Sequence, residues 1–594
     1  MLRKALPAAV LLLAGPAVFT MLPTAAAGTT TVRSIAELQA AADQAQPGDR
    51  IELVDGVYTS SGAIRLSRSG TASAPVTIAA QHVGGAEIRG TAGFRFDGAD
   101  HVHLEGFRLT HGGGLTIPSS SHHVRFTRNT VQLSGGDGNW VTVVGDDTEV
   151  SYNTFQNKST KGVFLQVTGP GERAMAQRLQ VHHNYFYNHA YTGTNGGESI
   201  RLGYSSRQLS TADATVEQNL FVRADGDSEA ISVKSSDNVV RHNTIRDSRG
   251  SIVLRHGNRN TVDGNLLLGG SSGLRFYDND HVLVNNLIQG GSGQIIAGSG
   301  TVADDTTWST AHARPDRVLV AFNTVVGTRV PLLQVGQGTD RLGPHECTFA
   351  NNILVGGGSG GLIDIDEGTS LRWHGSIVWA GTGGNAPSSG YRRVDPALVT
   401  DSGGLRRLAA GSPAIGTAAG SYPQVTQDMD LQSRTDPKDV GADEYAATGT
   451  PRRPLTTADV GPNAGRPAPT RYEAEQAVIF HGAVDSNHAG FSGTGFVNYV
   501  NETGSYVEWT VTVPAAGAYT LRYRHANGST VNRSMDIRVD GALSTAGLAF
   551  PPTGAWSSWQ TVSVTTTLDA GTHTVRATAT TTSGGPNVDY LETA

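Results

Sequence analysis

The chain holds a single cysteine, Cys347, in 594 residues. Neither an intramolecular disulfide nor a cysteine-based metal cluster can form, so packing and backbone hydrogen bonds must carry the stability. Charge is scarce as well: Asp, Glu, Lys and Arg make up 16 % of the chain and leave a net charge of −7. That balance argues against a nucleic-acid partner, which calls for a basic surface. After the N-terminus no stretch is apolar enough to span a bilayer. With 38 % hydrophobic residues and only 24 prolines the chain is not disordered, and the lack of a G-X-Y period excludes a collagen. What is abundant is glycine, 75 residues, together with Thr, Val, Ser and Asn, which signals a mostly β protein with many turns.

Residues 1–27 have the layout of an export signal. Arg3 and Lys4 form the basic start, an apolar stretch follows, and Ala25, Ala26 and Ala27 offer a small-residue cleavage site. Pro7, Pro16 and Pro23 interrupt the apolar stretch, against a retained anchor. The expected location is secreted, extracellular.

An asparagine followed two positions later by a large apolar residue recurs at Asn129, Asn153, Asn184, Asn219, Asn243, Asn265, Asn286, Asn323 and Asn352. The gaps are 24, 31, 35, 24, 22, 21, 37 and 29 residues, so a unit of about 21 is repeated with loops inserted. Three short strands and three turns fill such a unit. No unit buries its inner face alone, and stacked units make a right-handed parallel β-helix with asparagines aligned at one bend. Leucine-rich repeats share the period but not the L-x-x-L-x-L pattern. Ser34 to Glu37 reads as a capping box opening a helix from Ile35 to about Ala45, a lid for the first coil. Asp439 to Tyr445 is expected to close the domain.

The expected organisation is therefore a β-helix over 28–447, a proline-rich, semi-extended linker over 448–470 and a β-sandwich over 471–594. The sandwich is marked by alternating strands such as Tyr506–Val513 and by Trp509, Trp556 and Trp559. Trp509, mid-strand in such a pattern, is expected in the core.

Chemistry-bearing residues concentrate between 195 and 281. Lys234 and Arg255 are 21 residues apart, which puts them at nearly the same angular position on adjacent coils. Asp227 and Glu229 share one face of an extended stretch. Asn195, Asp227 and Glu229 are oxygen ligands suited to a hard cation such as Ca²⁺. A lysine beside a cation and arginines is pushed towards its neutral form, in which it takes up a proton. These parts suit β-elimination from a uronic-acid polymer: a base removes the C5 proton, a cation neutralises the adjacent carboxylate, and an acid protonates the departing O4. Hydrolysis by paired carboxylates is the rival chemistry. A non-catalytic polysaccharide-binding β-helix remains open too, though a binder needs no base and acid.

The stretches Asn195–Gly203, Asp227–Ser235 and Leu254–Asn258, with Gly48–Tyr58 near the start, closely resemble polysaccharide lyase family 6, the β-helical alginate lyases and chondroitinase B. The resemblance covers roughly 30–446. It implies Lys234 as Brønsted base, Arg255 as acid, and Asn195, Asp227 and Glu229 as ligands of Ca²⁺. It also implies that Arg201, His256 and Arg275 contact sugar carboxylates or hydroxyls. One departure is that the family usually has glutamate where Asp227 stands. Tyr472–Glu475 and Asn587–Leu591 are similar to carbohydrate-binding modules of families 6 and 35. That likeness implies a structural Ca²⁺ at Glu473, Glu475 and Asp589, with Tyr499, Trp556 and Asn587 on sugar. The expected partner is an acidic polysaccharide, alginate before dermatan sulfate, acted on by a monomer with no nucleic acid and no membrane.

Overall fold

Stacking coils of three strands produces three long parallel sheets in the computed structural model. It describes residues 28–593 apart from 304–307, 309, 338–341, 447, 449, 466–468 and 515. The export signal at 1–27 and the linker residues 466–468 lie outside the described residues. Sheet one has 14 strands, from Thr29–Val32 to Arg372–His374; sheet two has 10, from Leu115–Ile117 to Ile363–Ile365; sheet three has 14, from Gly56–Ser60 to Tyr391–Arg393. Over residues 102–365 each coil visits sheet one, sheet three and sheet two in that order. Inward Val, Ile, Leu and Phe form one continuous core. Phe155, Phe186 and Phe221 are register partners on successive coils, with ring centroids 5.1 and 4.8 Å apart.

The repeated asparagines stand at the bend between sheets one and three. In each coil the amide oxygen accepts from both the backbone N–H and the Nδ2 of the asparagine one coil earlier: Asn219 meets Asn243 at 3.0 Å in both bonds. The ladder runs from Asn129 to Asn352, where Ser376 Oγ takes over at 3.2 Å. The residue before each asparagine is left-handed, including the non-glycines Arg128, Tyr152, His183, Gln218 and His242 (φ 51° to 56°). That conformation is costly for an L-residue. It persists because the buried asparagines lock the bend.

The helix Ile35–Gln44 covers the first coil. Ser34 Oγ accepts from the Glu37 N–H, while the Glu37 carboxylate accepts from the Arg33 N–H rather than that of Ser34. Its own Leu38 and Ala42 are the side chains it buries.

Two expectations need correction. The segment 439–445 does not cap an end; it folds back against the outside of the ladder bend. Ala442 N–H donates to Thr324 Oγ1 at 2.9 Å, and Arg434 links Asn285 to Glu444 at 2.8 and 3.1 Å. The proline-rich segment that follows is more than a semi-extended linker, because its carbonyls and N–H groups are taken by the coils. Arg452 donates to the Gly264 carbonyl, Leu455 N–H to Thr244 Oγ1 at 3.1 Å, and Gly461 N–H to the His183 carbonyl at 2.9 Å. Arg128 Nη1 holds the carbonyls of Pro462 and Ala464 at 2.7 and 3.2 Å. Gly461 is required there: its φ is 82°, and a Cβ would stand 2.9 Å from Thr154 Oγ1. The segment is a strap along the ladder bend, from the coil of Asn265 back to that of Asn129.

The C-terminal module is a β-sandwich of a six-stranded and a five-stranded antiparallel sheet. Trp509, Tyr523 and Tyr499 lie in its core. It meets the β-helix near the second coil, where His82 Nε2 and Thr565 Oγ1 are 3.3 Å apart.

Candidate active site

The strands of sheet two run in register, so their outward residues form columns along the β-helix. One column reads Gln166, Arg201, Ser232, Val253 and Arg275. The strands Glu229–Lys234 and Ser251–His256 pair with two register shifts. The second sets Lys234 opposite His256, not Arg255. Arg255 is thereby the extra residue of a bulge, a device that re-aims a side chain. Its side chain is 29 % exposed while Leu254 and His256 on either side are buried.

Two buried carboxylates organise the cations. Glu229, 1 % exposed, accepts through Oε1 from Arg255 Nη1 at 2.6 Å and from Arg275 Nη2 at 3.1 Å. Its other oxygen is buried. Burial opposes its ionisation, yet Arg255, a hydrogen bond with Ser232, Lys234 and Arg275 together hold its pKa below the usual value. Glu198 grips Arg201 through both oxygens, at 2.9 and 2.5 Å, and stands 3.7 Å from Lys234 Nζ. Lys234 is pulled in two directions. Burial, with Arg201 and Arg255, lowers its pKa; Glu198 and Glu229 raise it; the net direction is down. Arg255 stays charged, because Glu229 outweighs its burial. The arrangement is a desolvated amine beside a protonated guanidinium, the parts of a base and a proton donor.

Asp227 lies in the turn before Glu229. Its Oδ2 accepts from the N–H groups of Gly196 and Gly197 at 2.9 and 3.4 Å, and Ser228 Oγ reaches Oδ1 at 3.3 Å. Burial and the neighbouring charges of Glu198 and Glu229 raise its pKa. Asn195 is exposed on the facing turn. Asp227, Glu229 and the exposed amide of Asn195, whose neighbour Gly196 donates to Asp227, are oxygen donors of the kind that a hard cation takes.

Not every expected contact residue faces solvent. His256 is 1 % exposed and stacked on His312, which stacks in turn on Tyr277, at 4.6 and 4.1 Å. Burial pushes it down to about 2, so it is a neutral supporting ring behind Lys234. Arg201 and Arg275 do reach the surface column, 14 % and 28 % exposed.

In the module, Glu473, Glu475 and Asp589 converge on one loop. Ser492 Oγ donates to Glu473 at 2.9 Å, Ser492 N–H to Asp589 at 2.9 Å, and Thr494 N–H to Glu475 at 2.7 Å. Arg524 already pairs with Asp589. Tyr499 corrects an expectation: it is 3 % exposed, points between the sheets and donates to the Ala577 carbonyl at 3.1 Å, so it presents no face to a sugar. Asn587 is equally buried. Trp556 is half-buried under Arg533, 5.0 Å from its ring.

Sequence reasoning missed Glu198. Its signal is its position three residues before Arg201, inside a motif otherwise read for Asn195. Two further acidic clusters bring three ligand groups within 4.8 Å: Asp316, His345 and Glu346, and Asp428, Asp430 and Asp443. The second closes around Arg407, which bonds Asp430 and Asp443.

The Chondroitinase B family profile matches residues 32–353, and the profile of carbohydrate-binding module family 6 matches 473–593. The family 6 alginate lyase AlyGC superposes with a TM-score of 0.56 at 24 % identity, over 64 % of this chain and 55 % of its own. A mannuronic acid specific family 6 lyase from human gut microbiota does so with 0.54 at 24 %, over 62 % and 91 %. Both share the fold with this chain. Among curated proteins, an exo-β-D-glucosaminidase of Amycolatopsis orientalis is 51 % identical over 144 residues, 24 % of this chain and 14 % of its own length. An endo-1,4-β-xylanase B of Cellvibrio japonicus is 40 % identical over 111 residues, 18 % of each. The chain thus spans less than a fifth of either curated relative.

Proposed function

We propose, from the premise that this chain belongs to the chondroitinase B family, that it is a lyase depolymerising a polyuronate by β-elimination, with alginate as the substrate. The observation that carries this reading is the pair Lys234 and Arg255, the first desolvated with a lowered pKa, the second held charged by Glu229. The net charge of −7 and the family 6 alginate lyases among the structural neighbours favour alginate over dermatan sulfate.

The neutral Lys234 amine takes the C5 proton, and the electron pair left behind forms the C4–C5 double bond as the C4–O4 bond breaks. Arg255 delivers a proton to departing O4, which becomes basic as its bond lengthens. With 29 % of its side chain exposed, Arg255 is reprotonated from solvent. Arg201 and Arg275 orient substrate carboxylates, each braced by a buried glutamate. Asn195, Asp227 and Glu229 would hold Ca²⁺, whose chemistry here is to neutralise the carboxylate next to C5. His256 keeps the bulge in place from behind. The signal at 1–27 marks the protein for export, and the module at 471–594 raises the enzyme's concentration on polymer.

The test is the ultraviolet absorbance of the unsaturated product with alginate, polymannuronate, polyguluronate and dermatan sulfate, each with Ca²⁺ and with chelator. Lys234→Ala and Arg255→Ala should each abolish the signal with the fold intact. Near-normal turnover in either variant, or new reducing ends without absorbance, would overturn the reading.

A further inference from the structure

Lysine is rare in this chain, 5 residues against 40 arginines, and three of the five are Lys158, Lys161 and Lys234. Lys234 is the base of the preceding section. Lys158 is buried, its ammonium on Thr160 Oγ1 at 2.9 Å. Lys161 differs from both: it is exposed and makes no ion pair or side-chain hydrogen bond among the described residues.

Its backbone is nevertheless fixed. Lys161 N–H donates to Asp137 Oδ1 at 3.0 Å, its carbonyl accepts from Gly138 N–H at 2.8 Å, and the next residue, Gly162, donates to the Gly196 carbonyl at 2.7 Å. The Lys161 turn is thus stacked on the turn of Asn195 and Gly196, next to the N–H groups that hold Asp227. The lysine stem crosses the bare face of Gly196. A Cβ placed on Gly196 would stand 3.2 Å from Lys161 Cε, 3.5 Å from its Cγ and 3.9 Å from Arg201 Nη2. Lys161 and Arg201 therefore flank one glycine, and only glycine suits both the φ of 90° there and the room that the stem needs. Lys161 leads into the strand Leu165–Val167, two coils before Glu229–Lys234. Neighbouring strands lie about 4.8 Å apart, which puts its coil about 10 Å from that of the base.

We propose that Lys161 is a substrate-binding residue, holding a uronate carboxylate of the polymer two coils before that of the base. The inference rests on the polyuronate lyase reading. An exposed, uncommitted ammonium is well matched to that role, because a point charge on a flexible stem follows a carboxylate without demanding one geometry. Arg201 and Arg275, committed to buried glutamates, fix the sugar at the reacting centre. Lys161 adds a contact that only a longer chain reaches.

The experiment compares the full-length wild type with Lys161→Ala and Lys161→Arg, using whichever of polymannuronate, polyguluronate or dermatan sulfate the wild type cleaves, and size-defined oligomers of the same polymer. Loss of binding shared by ground and transition states raises KM and leaves kcat alone, and for Lys161→Ala a rise of about five- to tenfold is expected. The rise should be confined to the longer oligomers, fall away at high salt, leave the pH profile in place and be largely reversed in Lys161→Arg. An unchanged KM, an equal loss on the shortest cleaved oligomer, or a fall in kcat alone would overturn the proposal while leaving the lyase reading standing. Silence of the wild type on all three polymers would overturn the lyase reading, and the Lys161 role with it.

Discussion

Glu198→Gln keeps the shape of the side chain and removes one negative charge 3.7 Å from Lys234 Nζ. Among the groups that oppose the burial of Lys234, Glu198 is the strongest. Removing an anion favours the neutral amine, so Lys234 loses its proton at lower pH in the variant. A unit pair at this distance is worth about 1 kcal/mol in bulk water and about 4 kcal/mol at an effective dielectric constant near 20. At 1.36 kcal/mol per tenfold change, the titration moves by about 1 to 3 pH units towards acid. Arg201, freed from its partner, acts in the same direction, since its charge already lowers the Lys234 pKa.

The readout is kcat against pH at saturating polymer. A base works only when neutral, so kcat of the wild type climbs as pH rises through the Lys234 pKa, which lies below the ordinary 10.5. In Glu198→Gln that climb begins earlier. Its height falls too, because Arg201 loses the carboxylate that orients it, so the position of the limb is what decides. A limb that stays in place, or moves towards alkali, would refute the assignment of Lys234 as the titrating base.

Asn243→Ala should lower stability by about 3 to 5 kcal/mol, since it removes the acceptor of the buried Asn219 backbone N–H and Nδ2, one of the two donors to Asn265 Oδ1, and the side-chain donor to the Val216 carbonyl; chemical denaturation measures it. Acid should melt the protein well before carboxylates titrate. Burial holds His111, His189, His281 and His525 down to about 4 and His242 to about 3, against 6.5 when unfolded. The unfolded chain then binds more protons below pH 6.5, so stability is complete above that value and each ring costs roughly 2 kcal/mol by pH 5. A melting temperature flat from pH 7.5 to 5 would contradict this. Arg128→Ala should free the end of the strap, and limited proteolysis should then cut between 450 and 465, where the wild type resists; equal resistance would show that the remaining strap contacts suffice.

The sequence made the β-helix legible because one residue type does the same thing in every coil. Asparagine at the bend satisfies its own coil and the previous one at once, so its spacing reports the coil length directly. The sites were legible only to the level of the strand. Equal spacing of Lys234 and Arg255 implied facing positions, but register is counted in paired residues, and two shifts between Glu229–Lys234 and Ser251–His256 set His256 opposite the lysine. Nothing local marks a bulge of that kind. Tyr499 failed for a related reason: an aromatic in an alternating strand faces core or solvent according to a parity that its partner strands decide. The strap was invisible because its contacts are backbone groups meeting residues some 190 to 340 positions away.

Loop insertion and the catalytic pair occupy different coils. The coils of 31 and 35 residues that begin at Asn153 and Asn184 carry the turns of Lys161 and of Asn195 to Arg201. The next two, of 24 and 22 residues, have almost no inserted length and carry Asp227 to Lys234 and Arg255. Those same two coils contribute the longest strands of sheet two, six residues each. A short coil with long strands leaves little slack in its turns, so the positions of Lys234 and Arg255 follow from backbone pairing rather than from loop conformation. The ladder and the strap stiffen the bend between sheets one and three, and sheet two closes the coil on the side away from that bend. Rigidity is therefore supplied from behind the site, which leaves the front free for groups such as Lys161 whose role requires movement.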